Sequence, residues 1–267
     1  MERSKSYISV AIPTFNSSNY LKNCLKSLIN ISLIDEIIIN DDCSNETEFN
    51  KLNQIIREVD NNSKIKIYKN KKNIGAFKNK YECIKKCKNE IVYQLDSDNI
   101  ATSTLRKVLS IVINEENSNY LYLPSKIYQF RKYHYFARFF SNFNKRFIVT
   151  FTDKDFVFNK NIIKQAIENN LKVTVDKNIN WVLNSGNFIV NRNMYLKTFK
   201  NKIAEDIRYP MDAVAISYFW IKNGGEIKTL KHFKHYHRKR TDSVSFVENE
   251  GSFESLTSFR KKFIELD

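Results

Sequence analysis

Two aspartates one residue apart, Asp96 and Asp98 in Leu95-Asp96-Ser97-Asp98-Asn99, follow the apolar run Ile91-Val92-Tyr93. That run reads as a buried strand, so both carboxylates stand at its carboxyl end, the edge where an open α/β sheet takes its ligands. Oxygens placed there suit a hard divalent cation, Mg²⁺ or Mn²⁺. Such an ion takes one or two protein oxygens and leaves its other positions to water and phosphates. A nucleotide diphosphate is the natural third party. Asp-Ser-Asp-Asn is equally good turn and cap chemistry, so the pair gains meaning only from its surroundings.

Three more polar stretches follow strand-like runs: Pro13-Thr14-Phe15-Asn16, Asp41-Asp42-Cys43-Ser44, and Asn73-Ile74-Gly75 with Lys78 and Lys80. In a doubly wound sheet these loops converge on one edge with the aspartate pair. Asp42 can accept hydrogen bonds from a base or ribose, Phe15 beside Pro13 can cover a base face, and Lys80 can supply a cation for a diphosphate. Taken singly, each is an ordinary cap or solvated charge.

The elements that must position these loops alternate at short intervals. Strands are predicted at Tyr7 to Ile12, Glu36 to Asn40, Ile65 to Tyr68, Ile91 to Leu95 and Tyr120 to Leu123. Helices are predicted from Tyr20, over Glu48 to Val59, Phe77 to Cys87 and Ser103 to Asn114. This predicts the α/β class, with a mostly parallel central sheet flanked by helices and a Rossmann-like N-terminal half. Leu21, Cys24, Leu25 and Leu28 share one face of the first helix, with Asn19 as its expected cap. Beyond Pro124 the pattern loosens into Lys126 to Phe151, dense in Tyr, Phe, Arg and Lys. Three features of the second half stand clear of it. They are a strand at Gly186 to Val190, a helix from Met211 to Ile221 entered through Pro210, and a strand at Glu226 to Leu230 after Gly224-Gly225.

The 267 residues, 42% of them apolar, can bury one large core. No run approaches the roughly eighteen apolar residues that span a bilayer, and no signal-peptide core opens the chain, which predicts a soluble, cytoplasmic protein. Cys83 and Cys87 stand at helical spacing, and with Cys24 and Cys43 they read as reduced thiols. A net charge of +15 draws the protein toward something anionic: phosphorylated substrates, an acidic membrane surface or nucleic acid.

In the order and spacing of these motifs over about the first hundred residues, the chain resembles the inverting family-2 glycosyltransferases of the GT-A fold. The resemblance rests on Ile12-Pro13-Thr14-Phe15-Asn16, Asn40-Asp41-Asp42-Cys43-Ser44, Asn73-Ile74-Gly75 with Lys80, and Leu95-Asp96-Ser97-Asp98-Asn99. It resumes at Gly186-Asn187-Phe188-Ile189-Val190, which looks like the strand lining an acceptor site, and at Asp212, which opens a helix ending at Asn223 and Gly224. The resemblance implies transfer of a sugar, with inversion, from a nucleotide diphosphate sugar, a UDP-sugar first of all, to an acceptor hydroxyl on a glycan or lipid-linked carrier. It also implies roles: Asp42 on the base, Lys80 on the diphosphate, Asp98 as principal ligand of Mg²⁺ or Mn²⁺ with Asp96 assisting, and Asp212 as general base. Glu205-Asp206 is a competing acidic pair. Cell-surface polysaccharide synthesis at the inner face of an anionic membrane fits that class.

The chain departs from the family behind the last core strand. Members often carry His or Arg and then Ser-x-Ser there, whereas this segment reads His235-Tyr236-His237-Arg238-Lys239-Arg240-Thr241-Asp242-Ser243-Val244-Ser245. Two assignments stay open: His237 as a metal ligand, or Arg238 and Arg240 as a clamp on the diphosphate. The expected organisation is one domain over 1–247, with a nucleotide-sugar half over 1–125, an acceptor half over 126–247, and a polar tail over 248–267. Two other classes compete: a basic nucleic-acid-binding protein using Lys126 to Phe151 and the run near His232 to Arg240, and an inactive GT-A-like protein at a membrane. Under the enzyme reading nucleic acid is not an expected partner.

Overall fold

The computed structural model describes residues 7–130, 148–150, 152–168, 179–203, 212–238 and 258–266. In chain order the elements are β1 (Ile8–Thr14), α1 (Ser18–Lys26), β2 (Ile34–Asp41), α2 (Glu46–Val59), β3 (Ile65–Lys69), α3 (Ala76–Lys86), β4 (Ile91–Gln94), β5 (Ile100–Ala101) and α4 (Leu105–Glu115). They continue with β6 (Tyr120–Phe130), β7 (Ile148–Thr150), β8 (Phe156–Phe158), α5 (Lys160–Glu168), α6 (Ile179–Leu183), β9 (Phe188–Asn191), α7 (Arg192–Phe199), α8 (Asp212–Lys222) and β10 (Glu226–Arg238).

These strands form one sheet in the order β3-β2-β1-β4-β9-β6-β10-β5, with β7 against β6 and β8 against β10. Strands β1 to β4 pair in parallel, as the alternation predicts. The second half is mixed. β9 runs antiparallel to both β4 and β6, while β6 and β10 are parallel to each other. An apolar run such as Phe188-Ile189-Val190, buried throughout, has no period that encodes its direction. Helices cover both faces. Leu21, Leu25, Leu52, Leu105 and Leu109 of α1, α2 and α4 pack on one side. Phe77, Ile84, Phe199 and Trp220 of α3, α7 and α8 pack on the other.

The predicted ends shift where local chemistry decides. Ser17, not Asn19, stands at the cap of α1. β6 continues past Pro124 to Phe130 and β10 past Leu230 to Arg238. Their ladder jumps from Leu230 opposite Pro124 to Lys234 opposite Lys126, because proline has no N–H to donate. The Ser125 hydroxyl serves the bulged strand, donating to Lys231 O at 2.9 Å. His235 and His237 therefore stand on a strand rather than in a loop. Residues 258–264 are helical, and Phe259 and Phe263 are buried against Tyr218, so this part of the expected tail belongs to the core. Cys24, Cys83 and Cys87 are buried free thiols, as read from their spacing. Among the described residues no helix is long and apolar enough to cross a membrane.

Candidate active site

At the carboxyl end of β2, Asp41 and Asp42 take different tasks. Asp41 accepts from the Ser44 amide at 2.9 Å and hydroxyl at 2.6 Å, closing a turn that sets Cys43 at φ 65°. Asp42, 3% exposed, reaches the loop ahead of α3. Its Oδ1 accepts from Ile74 N and Asn70 Nδ2, both at 2.9 Å, and its Oδ2 from Gly75 N at 2.9 Å. Gly75 is at φ 85°, a conformation that costs glycine little. Asp42 thus fixes the β3–α3 loop, and its Oδ2, with one bond made, keeps acceptor capacity. Pro13 pairs opposite Asn40 one residue before the end of β1, and Phe15 follows that end at 46% exposure.

The Asp96-Ser97-Asp98 turn leaves β4 where the sequence puts it and is tied down from three sides. The Ser97 and Ser17 hydroxyls bond at 2.8 Å, and Ser17 bonds Thr14 at 2.5 Å, joining this turn to the loop after β1. The Asp96 amide donates to Asn187 Oδ1 at 2.7 Å. On the third side, Arg238 donates from its backbone N to Asn99 Oδ1 and from Nε to the Asp98 carbonyl, with its guanidinium over the Tyr20 ring. β5 pairs with β10 so that Ala101 faces His235 and Ile100 faces Tyr236; the same register brings His237 alongside Asn99.

Asp96 and Asp98 are half-buried at this edge. Among the described residues no three His, Cys, Asp or Glu side chains gather into a cage. One or two carboxylate oxygens are nonetheless what Mg²⁺ or Mn²⁺ takes from a protein when its remaining positions belong to water and phosphate.

Lys80 does not lie on the open edge. Its ammonium is buried, 2.6 Å from Asp212 Oδ2 and 3.5 Å from Asp96 Oδ1. Burial works against that charge, but Asp212 and Asp96 outweigh it and hold Lys80 above the ordinary lysine value. Asp212, 4% exposed, opens α8, every residue of which is buried through Ile221. The structure thus brings Lys80, Asp96 and Asp212 together, though they lie far apart in sequence and on three different elements. Arg240, Glu205, Asp206 and Pro210 lie outside the described residues, as does most of Lys126 to Phe151.

Asn187 and His235 carry parts that their sequence context does not announce. Asn187 Nδ2 stands 3.4 Å from His235 Nε2, so the imidazole backs the amide that orients Asp96. Burial, with His237 beside it, pushes His235 down to about 3, and the ring is neutral at working pH. Alternation with Phe233 along a strand is the one signal that could have marked His235 as buried. We expect Asn187→Ala to leave the Asp96 amide unpaired and cost about 1–3 kcal/mol of stability, read as a lower melting temperature. An unchanged melt would show that water replaces the amide without loss.

A family profile described as Glycosyl transferase family 2 matches residues 9–164. Comparison with curated proteins returns no match. Among solved structures, S. aureus TarS 1-349 in complex with UDP-GlcNAc superposes with a TM-score of 0.61 at 18% identity, over 95% of this chain and 65% of that one. Its complex with UDP gives 0.61 at 17%, over 96% and 65%. GalNAc-T7 with UDP, GalNAc and Mn²⁺ gives 0.60 at 15%, over 96% of this chain and 50% of that one. At such identities the likeness is one of fold, the GT-A fold. The chain spans just under two thirds of the TarS fragment's length.

Proposed function

The chain belongs to glycosyl transferase family 2, and from that premise we propose that it transfers a sugar, with inversion, from a nucleotide diphosphate sugar to an acceptor hydroxyl, with a UDP-sugar as donor. The observation that carries this reading is the convergence of Asp42, Asp96, Asp98 and Asp212. The first three stand at the carboxyl ends of β2 and β4 and the last at the start of α8, with Lys80 joining Asp96 to Asp212. The TarS and GalNAc-T7 structures hold UDP or UDP-GlcNAc, which supports uridine as the base.

In this reading Asp42 Oδ2 accepts from the base and Phe15, next to Pro13, covers it. Asp98 and His237 would hold Mg²⁺ or Mn²⁺ with Asp96 assisting; when bound, the ion would neutralise charge developing on the leaving diphosphate. Arg238, whose Nε reaches the Asp98 carbonyl, adds guanidinium charge there, and Arg240, outside the described residues, is the second candidate for the diphosphate. Asp212 takes the proton of the acceptor hydroxyl as its oxygen attacks the anomeric carbon. The new C–O bond forms as the bond to the diphosphate breaks, and that electron pair leaves on the phosphate oxygen. A carboxylate at the first turn of a fully packed helix has a fixed origin, which such in-line attack requires. The acceptor is a glycan or lipid-linked carrier, and the net charge of +15 suits an anionic membrane holding it.

Thermal shift with UDP, UMP, GDP and CDP, each with and without Mn²⁺, tests the proposal. UDP with Mn²⁺ is expected to stabilise most, by about 2.7 kcal/mol at a hundred times its dissociation constant. Stabilisation indifferent to base and metal would sink it. Salt-sensitive binding of an oligonucleotide that ignores Asp98 would favour a nucleic-acid role instead.

A further inference from the structure

We propose that Lys80 is a positioning residue, fixing the Asp212 carboxylate against the Asp96 turn, rather than a contact to the donor diphosphate; this rests on the family-based reading of Asp212 as the base. Its ammonium has three donors. The Asp212 and Asp96 carboxylates lie at 2.6 and 3.5 Å from it, and Gln94 Nε2 holds the same Asp96 oxygen at 3.0 Å. Lys80 is 5% exposed, and its ammonium is already held between two carboxylates, so little of its charge is offered to a phosphate. The main chain of Gly186 closes over Lys80 and Asp96. A Cβ there would come within 3.1 Å of Asp96 Oδ2 and 3.4 Å of Lys80 Nζ, leaving little room for a phosphate oxygen on that side. α3, α8 and the turn after β4 meet at this one ammonium.

A lysine that aims the base matters to turnover, and one that binds the diphosphate matters to affinity. The test uses the full chain as Lys80→Met, Asp212→Asn and the double variant. UDP and UMP affinities are measured calorimetrically with Mn²⁺, and UDP release is followed from saturating UDP-GlcNAc and UDP-glucose. Lys80→Met is expected to lower turnover by about a hundredfold, the scale of losing a positioned base, while UDP affinity stays within about threefold. Lys80→Met/Asp212→Asn is expected to be no slower than Asp212→Asn, since residues acting as a unit are not additive.

A tenfold or greater loss of UDP affinity in Lys80→Met with UMP unaffected would overturn the proposal, as would losses that multiply in the double variant. Should Lys80→Met leave a buried carboxylate that prevents folding, the double variant removes both charges. Its UDP affinity, set against that of Asp212→Asn, then decides: parity supports positioning and a loss overturns it. Absence of UDP binding by the unsubstituted chain would overturn the parent reading as well, and so is distinguishable.

Discussion

Asp212→Asn should lower turnover by roughly a hundredfold or more, the usual scale for losing a general base, while nucleotide-sugar affinity stays near that of the unsubstituted chain. The asparagine keeps the volume and one acceptor oxygen, so the Lys80 ammonium, now 2.6 Å from Asp212 and 3.5 Å from Asp96, retains partners on both sides. The amide cannot take a proton from the acceptor, which isolates the chemical step. Saturation kinetics of UDP release, with calorimetric UDP binding on the same preparation, reads both quantities. A fall in donor affinity with turnover at saturation unchanged would make Asp212 a binding residue and remove it from the chemistry.

Asp98→Asn should abolish the metal-dependent part of nucleotide binding, and turnover with it, while leaving the fold intact. A hard cation needs a charged oxygen, and an amide is a poor replacement. The turn has anchors besides that carboxylate. Its backbone is held by Asn99 N on Asp96 O, by the Ser17–Ser97 hydroxyl pair, and by Arg238 on the Asp98 carbonyl. Melting curves with UDP at graded Mn²⁺ would show the Mn²⁺-dependent increment disappear against an unchanged baseline. Mn²⁺ stimulation equal to that of the unsubstituted chain would end the assignment.

Where a property is local, the sequence discloses it. The strand–helix alternation over Ile8–Glu115, the aspartate turn leaving β4, and Asp212 opening a helix that Gly224 closes at φ 82° all follow from period, cap and turn chemistry within a few residues. Where a property depends on which surfaces meet, it does not. Lys80 reads as a free cation on a helix because nothing nearby in sequence shows Asp212 of α8 packing beside it on the same face of the sheet. Ser17 takes the cap position from Asn19 while its hydroxyl bonds Thr14 and Ser97, and Ser97 lies on a distant loop. His237 is legible as a candidate ligand, whereas His235 two residues earlier, buried behind Asn187, is visible only once β10 extends past its bulge.

The placement of β9 bears on how this enzyme class can be made and recombined. β9 zips antiparallel onto β4, Ile91 facing Asn191 and Gln94 facing Phe188, and also pairs with β6; it thereby seals the centre of the sheet with a strand synthesised after α4, β6, α5 and α6. Until that strand leaves the ribosome, β4 presents an apolar, unsatisfied edge to its neighbours for seconds at ordinary elongation rates. A fragment ending near Glu115 keeps that edge for good and should precipitate. Chimeras that exchange the nucleotide half of one relative for another would join at this internal seam rather than at a linker. Such exchanges should succeed only where the β4 and β9 side chains are transplanted as a matched pair.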